Sequence, residues 1–309
     1  MGLLKKSFSM NLFNSLYQAF LSANTKKQIG KIILYIALVG FFIHLSLIYL
    51  IKFDLIHFLS ASDLLKNPIS AIYTPFSFIL VYEVYLLIYY LPKSFTTYIT
   101  KQYEIITLII IRKLFKDLST IELSSDLLNI LDWFSIKEDL QFTYDILASV
   151  LLFYLIFHFQ KQGRQKPLHE TKDKVSIEKF IRRKKIIAVI LIPVFFAMGL
   201  MTFFSWVSSI SLSSMDFSGF GTINNLFFDE FFTVLILVDV VLLLISFFYT
   251  DKFHKIIRNS GFVVSTILIR MSFGVGRLES TFLILIAVLF GLAIILIHNK
   301  YEKIALFKS

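Results

Sequence analysis

The 309-residue sequence contains no cysteine. Disulfide bonds, thiolate catalysis and cysteine-ligated zinc or iron–sulfur sites are therefore excluded. Charged residues are also scarce, at 17% of the chain, whereas hydrophobic residues make up 57% and include 35 phenylalanines. The mean hydropathy of +0.75 and the repeated apolar runs of about 20 residues exceed what a soluble domain of this length buries. The composition predicts an all-α integral membrane protein.

The motifs of common enzyme classes are absent as well. The sequence has no Walker A loop, no Gly-rich dinucleotide fingerprint, no His-Glu-x-x-His zinc motif and no Gly-x-Ser-x-Gly nucleophile elbow. We therefore expect a protein that is not an enzyme, with no catalytic residue, no metal site and no cofactor. The net charge of +10 comes from basic residues beside apolar runs, a pattern that indicates membrane orientation and not nucleic-acid binding.

Six apolar runs are long enough to cross a bilayer. They lie near 32–51, 72–92, 143–160, 186–209, 231–250 and 280–298. Two further candidates, near 97–116 and 260–276, are shorter between charges and contain Arg112 and Arg270. Whether these two segments cross the membrane decides the topology.

The distribution of basic residues favours eight crossings. With eight, the cytoplasmic segments hold 23 of the 31 Lys and Arg residues. If 97–116 did not cross, the basic segment 161–185 would lie outside, against the usual excess of Lys and Arg in short cytoplasmic loops. The sequence therefore predicts eight transmembrane helices with both termini cytoplasmic. The expected location is a bacterial cytoplasmic (inner) membrane.

A weak internal repeat divides the chain into two tandem four-helix units. Arg112 follows Leu80 by 32 positions, and Arg270 follows Leu237 by 33. Each unit crosses an even number of times, so both units have the same orientation and the repeat is parallel. The predicted organisation is an amphipathic membrane-surface segment at 1–29, a first unit at 30–160 with an external amphipathic insertion at 117–142, a basic cytoplasmic linker at 161–184 and a second unit at 185–309.

Each unit places an acid on its second span and an arginine on its third. These residues are Glu83 and Arg112 in the first unit, and Asp239 and Arg270 in the second. An ionisable side chain at mid-membrane costs roughly 2.5–3.5 kcal/mol on insertion scales, so it normally has a partner. We therefore predict two intramembrane ion pairs. Two interpretations stay open: the pairs hold neighbouring helices together, or they line a path or sense charge.

Glu104 and His44 are two further candidates. Glu104 precedes Arg112 by eight residues, so both project from one face of a helix. Such a column could relay a proton or cation, or Glu104 could simply anchor the inner end of the helix. His44 lies well inside the first span, and an ordinary histidine pKa near 6.5 would permit a proton-linked switch. A hydrogen-bonding role in helix packing is the alternative for His44.

Two functions from different classes are consistent with this pattern. The first is translocation of a proton, another small ion or a small solute along a path lined by the acid and arginine pairs. The alternative is a non-catalytic membrane subunit or scaffold that docks a partner protein, with the charge pairs purely structural. The expected partners are the lipid bilayer, a small ion or solute, and either a second copy of the chain or a partner membrane protein.

Overall fold

The computed structural model describes residues 13–55, 65, 68–120, 137–164, 174–209, 219–249 and 252–306. Within these ranges the chain contains no β-strand. Its eight long helices are α1 (Ala23–Lys52), α2 (Tyr73–Tyr90), α3 (Phe95–Thr120), α4 (Lys137–Gly163), α5 (Lys174–Ser209), α6 (Gly219–Phe247), α7 (Phe253–Ser272) and α8 (Arg277–Leu306). A short 3₁₀-helix, Pro68–Ile72, leads into α2. The prediction of an all-helical chain is confirmed.

Six of these helices contain stretches that are long and apolar enough to cross a membrane. They are α1, α2, α4, α5, α6 and α8, which hold the six apolar runs of the sequence. The remaining two helices of the described ranges, α3 and α7, are less apolar because charged residues occur along their length. The difference between these six helices and the predicted eight crossings therefore concerns α3 and α7 alone.

The two less apolar helices lie inside the bundle. Within α1–α4 and within α5–α8 each helix packs on the next along the chain, and between these two groups α3 packs on α7, α4 on α8 and α2 on α5. Side chains of α3 and α7 form much of the core, including Tyr98, Ile99, Tyr103, Ile106, Phe262 and Ile269. The outer helices instead expose large apolar side chains, among them Leu34, Phe42, Tyr154, Phe196 and Phe282. Apolar faces thus surround a more polar centre, as in a bundle that faces lipid.

A short helical segment at residues 13–21 precedes α1. Ser22 separates the two, and its hydroxyl accepts a 3.1 Å hydrogen bond from the backbone N–H of Thr25 at the start of α1. Leu21 is buried, and the Tyr85 hydroxyl on α2 donates a 2.8 Å hydrogen bond to the Phe20 carbonyl. The segment therefore packs against α2. Of the predicted surface segment 1–29, residues 1–12 lie outside the described part of the chain.

The helix boundaries differ from the predicted segments at two places. The predicted insertion 117–142 mostly falls on residues 121–136, which lie outside the described ranges, while 117–120 end α3 and 137–142 begin α4. The predicted linker 161–184 overlaps α4 at its start and α5 from Lys174 onwards, and residues 165–173 between them are not described. Helix α5 begins well before the apolar run because backbone hydrogen bonds, unlike hydropathy, continue through its basic first turns.

Candidate functional site

A buried polar cluster lies where α3, α5, α6 and α7 meet. We call the set of Tyr98, Gln102, Lys184, Asp239 and Thr266 the interhelical cluster. Each of these side chains is no more than 4% exposed. Polar groups removed from water must find partners within the protein, so the contacts inside the cluster decide its energetic cost and its chemistry.

Gln102 on α3 is the centre of the interhelical cluster. Its Nε2 donates a 3.0 Å hydrogen bond to Asp239 Oδ2 on α6, and its Oε1 accepts a 2.9 Å hydrogen bond from the Thr266 hydroxyl on α7. The two ends of the amide therefore have different partners, which sets the orientation of the side chain. The amide links one helix of the predicted first unit to two helices of the second.

The second oxygen of Asp239 has spare hydrogen-bonding capacity. Among the described residues, Asp239 Oδ1 accepts no hydrogen bond although it is fully buried. The Tyr98 hydroxyl interacts electrostatically with the carboxylate, but it forms no hydrogen bond of normal geometry to any described residue. A buried carboxylate oxygen in this condition is a natural place for a proton or for the donor of a small ligand.

Lys184 on α5 supplies the positive charge of the interhelical cluster. Its ammonium donates a 2.6 Å hydrogen bond to the backbone carbonyl of Lys93, in the turn between α2 and α3. The same ammonium lies 4.7 Å from the ring centroid of Phe95 and 5.4 Å from that of Phe180, within the range of cation–π attraction. It also interacts electrostatically with Asp239. Lys184 therefore faces both an acid and the turn that precedes α3.

A second buried hydrogen-bond chain joins α3, α7 and α8. The Ser265 hydroxyl donates a 2.7 Å hydrogen bond to the Ala287 carbonyl, and the Tyr103 hydroxyl lies 2.7 Å from Ser265 Oγ. Because the serine proton points to the carbonyl, the tyrosine is the donor to Ser265 in this arrangement. Gly291 on α8 faces the Tyr103 hydroxyl, and a Cβ atom at that position would collide with it. Glycine thus leaves room for the Tyr103 hydroxyl against α8.

The structure does not bring Asp239 and Arg270 together. Arg270 Nε lies 3.4 Å from the Thr233 hydroxyl, six residues before Asp239 on α6. Six residues of α-helix rise about 9 Å, so the arginine lies well over one turn away along α6. Asp239 contacts Gln102 and interacts with Lys184 instead. The prediction places the two residues at similar depths. Because α6 and α7 run antiparallel from a short turn, Asp239 instead lies near Thr266 in the middle of α7, and Arg270 lies beside Thr233, closer to the start of α6.

The first predicted pair, Glu83 with Arg112, stays a prediction. Glu83 on α2 is 2% exposed, which agrees with an acid inside the bundle. Arg112 belongs to α3, but its side chain lies outside the described part of the structure. The burial of Glu83 is therefore the part of this pair that the structure describes.

Glu104 and His44 each join two neighbouring helices. Glu104 accepts hydrogen bonds from Lys101 on its own helix and from Gln160 Nε2 on α4, at 2.5 and 2.7 Å. His44 Nδ1 on α1 lies 2.5 Å from the Thr74 hydroxyl at the start of α2. Both contacts are those of side chains that hold helices together, and the predicted relay and proton-linked switch remain predictions.

One group of side chains has the composition of a metal site. The ligand atoms of His254 on α7 and of His298 and Glu302 on α8 lie within 4.8 Å of one another. His298 Nδ1 is 3.2 Å from the His254 carbonyl, which orients the ring and leaves Nε2 as the acceptor. However, Arg258 Nη1 lies 3.1 Å from that nitrogen. The guanidinium therefore occupies the place where a cation would bind.

Sequence reasoning missed several of these residues. Lys184 is one of four consecutive basic residues, so hydropathy alone does not distinguish it from its exposed neighbours. Asp145 on α4, which accepts a 2.7 Å hydrogen bond from the Thr281 hydroxyl on α8, also went unnoticed because it lies at the edge of an apolar run. Gln102 and Thr266 are uncharged, so a search of the sequence for ionisable residues does not identify them. Comparison of the chain with family models, curated proteins and solved structures finds no match.

Proposed function

We propose that this chain is an integral protein of a bacterial cytoplasmic membrane that crosses eight times, as two parallel units, α1–α4 and α5–α8, with both termini cytoplasmic. The lengths of α3 and α7, 26 and 20 residues, support this topology, because at 1.5 Å per residue both reach about 30 Å or more, the thickness of the hydrocarbon core. Their central position supports it too, since several polar residues on them, Gln102, Thr107, Ser265 and Thr266, are buried in protein and do not face lipid.

The pairing of helices supports the parallel repeat. Within each unit, every helix packs on the next. Between the units, α3 packs on α7 and α4 packs on α8, and these helices hold the same positions in the two units. Contacts between equivalent helices are expected where two parallel repeats are related by an axis along the membrane normal.

Labelling of single cysteines distinguishes eight crossings from six. The chain has no native cysteine, and Arg164 and Lys252 are both exposed. With eight crossings, Arg164→Cys and Lys252→Cys face the cytoplasm and resist an impermeant thiol reagent in intact cells. If α3 and α7 do not cross, both label from outside. Val275→Cys should label and Ser94→Cys should not under either topology, so they serve as controls.

We further propose that the chain moves a small ion, in the simplest case a proton, between the two units. The observation that carries this proposal is the buried Asp239 Oδ1, which accepts no hydrogen bond among the described residues and lies at the junction of both units. Ionisable groups inside membrane proteins commonly mark ion or proton pathways. A proton that binds Oδ1 neutralises the carboxylate and weakens its attraction to Lys184, while Oδ2 keeps the Gln102 hydrogen bond. Release of the proton restores the negative charge of Asp239 and its electrostatic attraction to Lys184.

A proteoliposome flux assay tests this proposal. The purified chain is reconstituted, and fluxes of protons, sodium or potassium, and chloride are compared with those of protein-free vesicles. Asp239→Asn retains an acceptor for Gln102 but cannot bind and release a proton, so flux should fall to background. Asp145→Asn is the matched control: Asp145 is equally buried and also has one oxygen without a hydrogen bond among the described residues, but it lies outside the interhelical cluster, with Thr281 on α8 as its partner. Wild-type flux in a folded Asp239→Asn protein would contradict the proposal.

The alternative is a non-catalytic subunit or scaffold in which the interhelical cluster is structural. The enclosure of Lys184 by a carbonyl and two aromatic rings favours this reading, because those contacts hold the ammonium in place. The alternative predicts no flux of any ion above background and a partner membrane protein that copurifies in a fixed ratio. Asp239→Asn would then alter stability or partner binding only.

A further inference from the structure

Three lysines surround two tyrosine rings at one end of the bundle. Lys26 Nζ lies 5.0 Å from the ring centroid of Tyr89 and 5.6 Å from that of Tyr90. Lys93 Nζ lies 5.9 Å from the Tyr89 centroid, and Lys101 Nζ lies 5.3 Å from the Tyr90 centroid. Because Lys26 shares a ring with each of the others, its ammonium is at most about 11 Å from both.

The described residues do not balance the positive charge of this group. Among them, no carboxylate forms an ion pair with the ammonium of Lys26 or Lys93; the ion pairs that they do form include Lys101–Glu104 and His298–Glu302. Lys101 is bonded to Glu104, which also accepts a hydrogen bond from Gln160. One acid is therefore set against three cations that repel one another. Such a concentration of unpaired ammonium groups favours an anion between them.

The position of these residues indicates where that anion is. Lys26 lies in the first turn of α1, and Tyr89 and Tyr90 end α2. Both helices contain candidate membrane spans, so these residues lie at the same membrane boundary, where headgroup phosphates are found. Lys93 follows in the turn to α3. In the proposed topology, on which this inference rests, the boundary is the cytoplasmic one.

We propose that Lys26, Lys93 and Lys101 bind the phosphate of an anionic phospholipid headgroup over the rings of Tyr89 and Tyr90. Ammonium groups supply several donors to the phosphate oxygens, and the tyrosine rings hold the lysine side chains over a common surface. Basic pockets between transmembrane helices on the cytoplasmic side bind lipid headgroups in this way. The same chemistry would accept free inorganic phosphate, so the test separates the two sources.

Binding of soluble short-chain lipids to the purified protein in detergent tests the proposal. Dioctanoyl-phosphatidylglycerol, dioctanoyl-phosphatidylcholine and inorganic phosphate are titrated separately, and the shift in unfolding temperature gives an apparent Kd for each. The anionic lipid should bind clearly more tightly than the other two. The double substitution Lys26→Gln with Lys93→Gln should weaken it by about 30-fold, at about fivefold per lysine near a membrane surface.

The control removes the same amount of charge at two positions of α1 that do not contact the tyrosine rings. Lys27 and Lys31 are exposed lysines of α1, so Lys27→Gln with Lys31→Gln should leave the Kd for the anionic lipid within about twofold. If the first double variant unfolds without lipid, Lys26→Arg with Lys93→Arg keeps the charge and should retain binding.

Equal weakening in the two glutamine doubles would overturn the site, as would equal affinity for the two lipids. A free-phosphate Kd as low as that of the anionic lipid would overturn the lipid assignment. Each result is independent of ion flux, so failure here is distinguishable from failure of the translocation proposal. Inverted labelling, with Ser94→Cys accessible from outside, would instead remove the topology on which the inference rests.

Discussion

Gln102 Nε2 lies 3.0 Å from Asp239 Oδ2 in a fully buried hydrogen bond between residues 137 positions apart. The contact joins α3 to α6, and the Thr266 hydroxyl extends it to α7. Three helices from both halves of the chain therefore depend on one amide side chain. A hydrogen bond to a charged group inside a bundle contributes more than a neutral one, which makes this contact a good place to test the interior.

Loss of the amide should destabilise the protein. Gln102→Met removes the donor to Asp239 at similar side-chain length. We expect the free energy of unfolding to fall by about 1.5–3 kcal/mol. The combined change Gln102→Met with Asp239→Leu removes both partners and should recover much of that loss, because no buried charge is left without its donor. The measurement is a double-mutant cycle of unfolding free energies in detergent. Additive losses, with coupling below about 0.5 kcal/mol, would show that the two residues act independently.

Substitution of Lys184, one of four consecutive basic residues, should destabilise the protein. Lys184→Met removes the ammonium that donates a buried hydrogen bond to the Lys93 carbonyl, so we expect a loss of about 1.5–3 kcal/mol, the range for hydrogen bonds that involve a charged group. Lys179→Met, at an exposed position of the same helix, should change stability by less than about 0.5 kcal/mol. Thermal unfolding of both variants in the same detergent makes the comparison. Similar unfolding temperatures for the two would argue against a role for Lys184 in holding α5 to the α2–α3 turn.

A methyl group at Gly291 should displace the Tyr103 side chain from α8. The added Cβ of Gly291→Ala meets the Tyr103 hydroxyl, so the tyrosine must move and its contact with Ser265 is lost. Overpacking of this kind costs about 1–3 kcal/mol. Gly274→Ala is the control, because its new Cβ meets nothing closer than the Met271 carbonyl at 3.8 Å. Adding Tyr103→Phe to Gly291→Ala removes the hydroxyl and should recover part of the lost stability. If it recovers none, the loss does not come from the contact with this hydroxyl.

Acid should weaken the α7–α8 contact near His254. This residue lies in the first turn of α7, before the predicted span begins at 260. Burial lowers the pKa of His254 below its usual 6.5; Glu302 opposes that shift, and Lys255, Lys252 and Arg258 reinforce it. Near pH 6.5 the unfolded chain therefore binds more protons at this residue than the folded chain does. The contribution to stability is complete above the unfolded pKa, and stability falls as the pH drops from about 7 towards 5.

His254→Gln tests this dependence. The variant keeps a polar side chain but does not titrate, so its unfolding temperature should fall less between pH 7 and pH 5 than that of the wild type. The comparison is made in one detergent and one ionic strength, because surface charges are screened by salt. Parallel curves for the two proteins would assign the pH dependence to other groups.

Apolar runs alone determined which six helices could cross a membrane. The run near 72–92 matches α2 within two residues at each end, and the run near 231–250 matches the apolar span Glu230–Phe247 of α6, although α6 itself begins at Gly219. Helix ends were less predictable. Helix α5 begins at Lys174, because backbone hydrogen bonding continues past the point where hydropathy ends.

Tertiary packing decided which charged groups meet. Sequence similarity between the halves set Asp239 beside Arg270, but the depth of a side chain depends on the relative offset of antiparallel helices, which a linear pattern does not contain. In the folded chain that offset sets Arg270 near Thr233 and Asp239 near Gln102. Lys184 likewise became a buried partner only because α5 packs beside the α2–α3 turn. Hydropathy reports where a residue is along one helix, whereas the cost of burying a charge is set by neighbours from other helices.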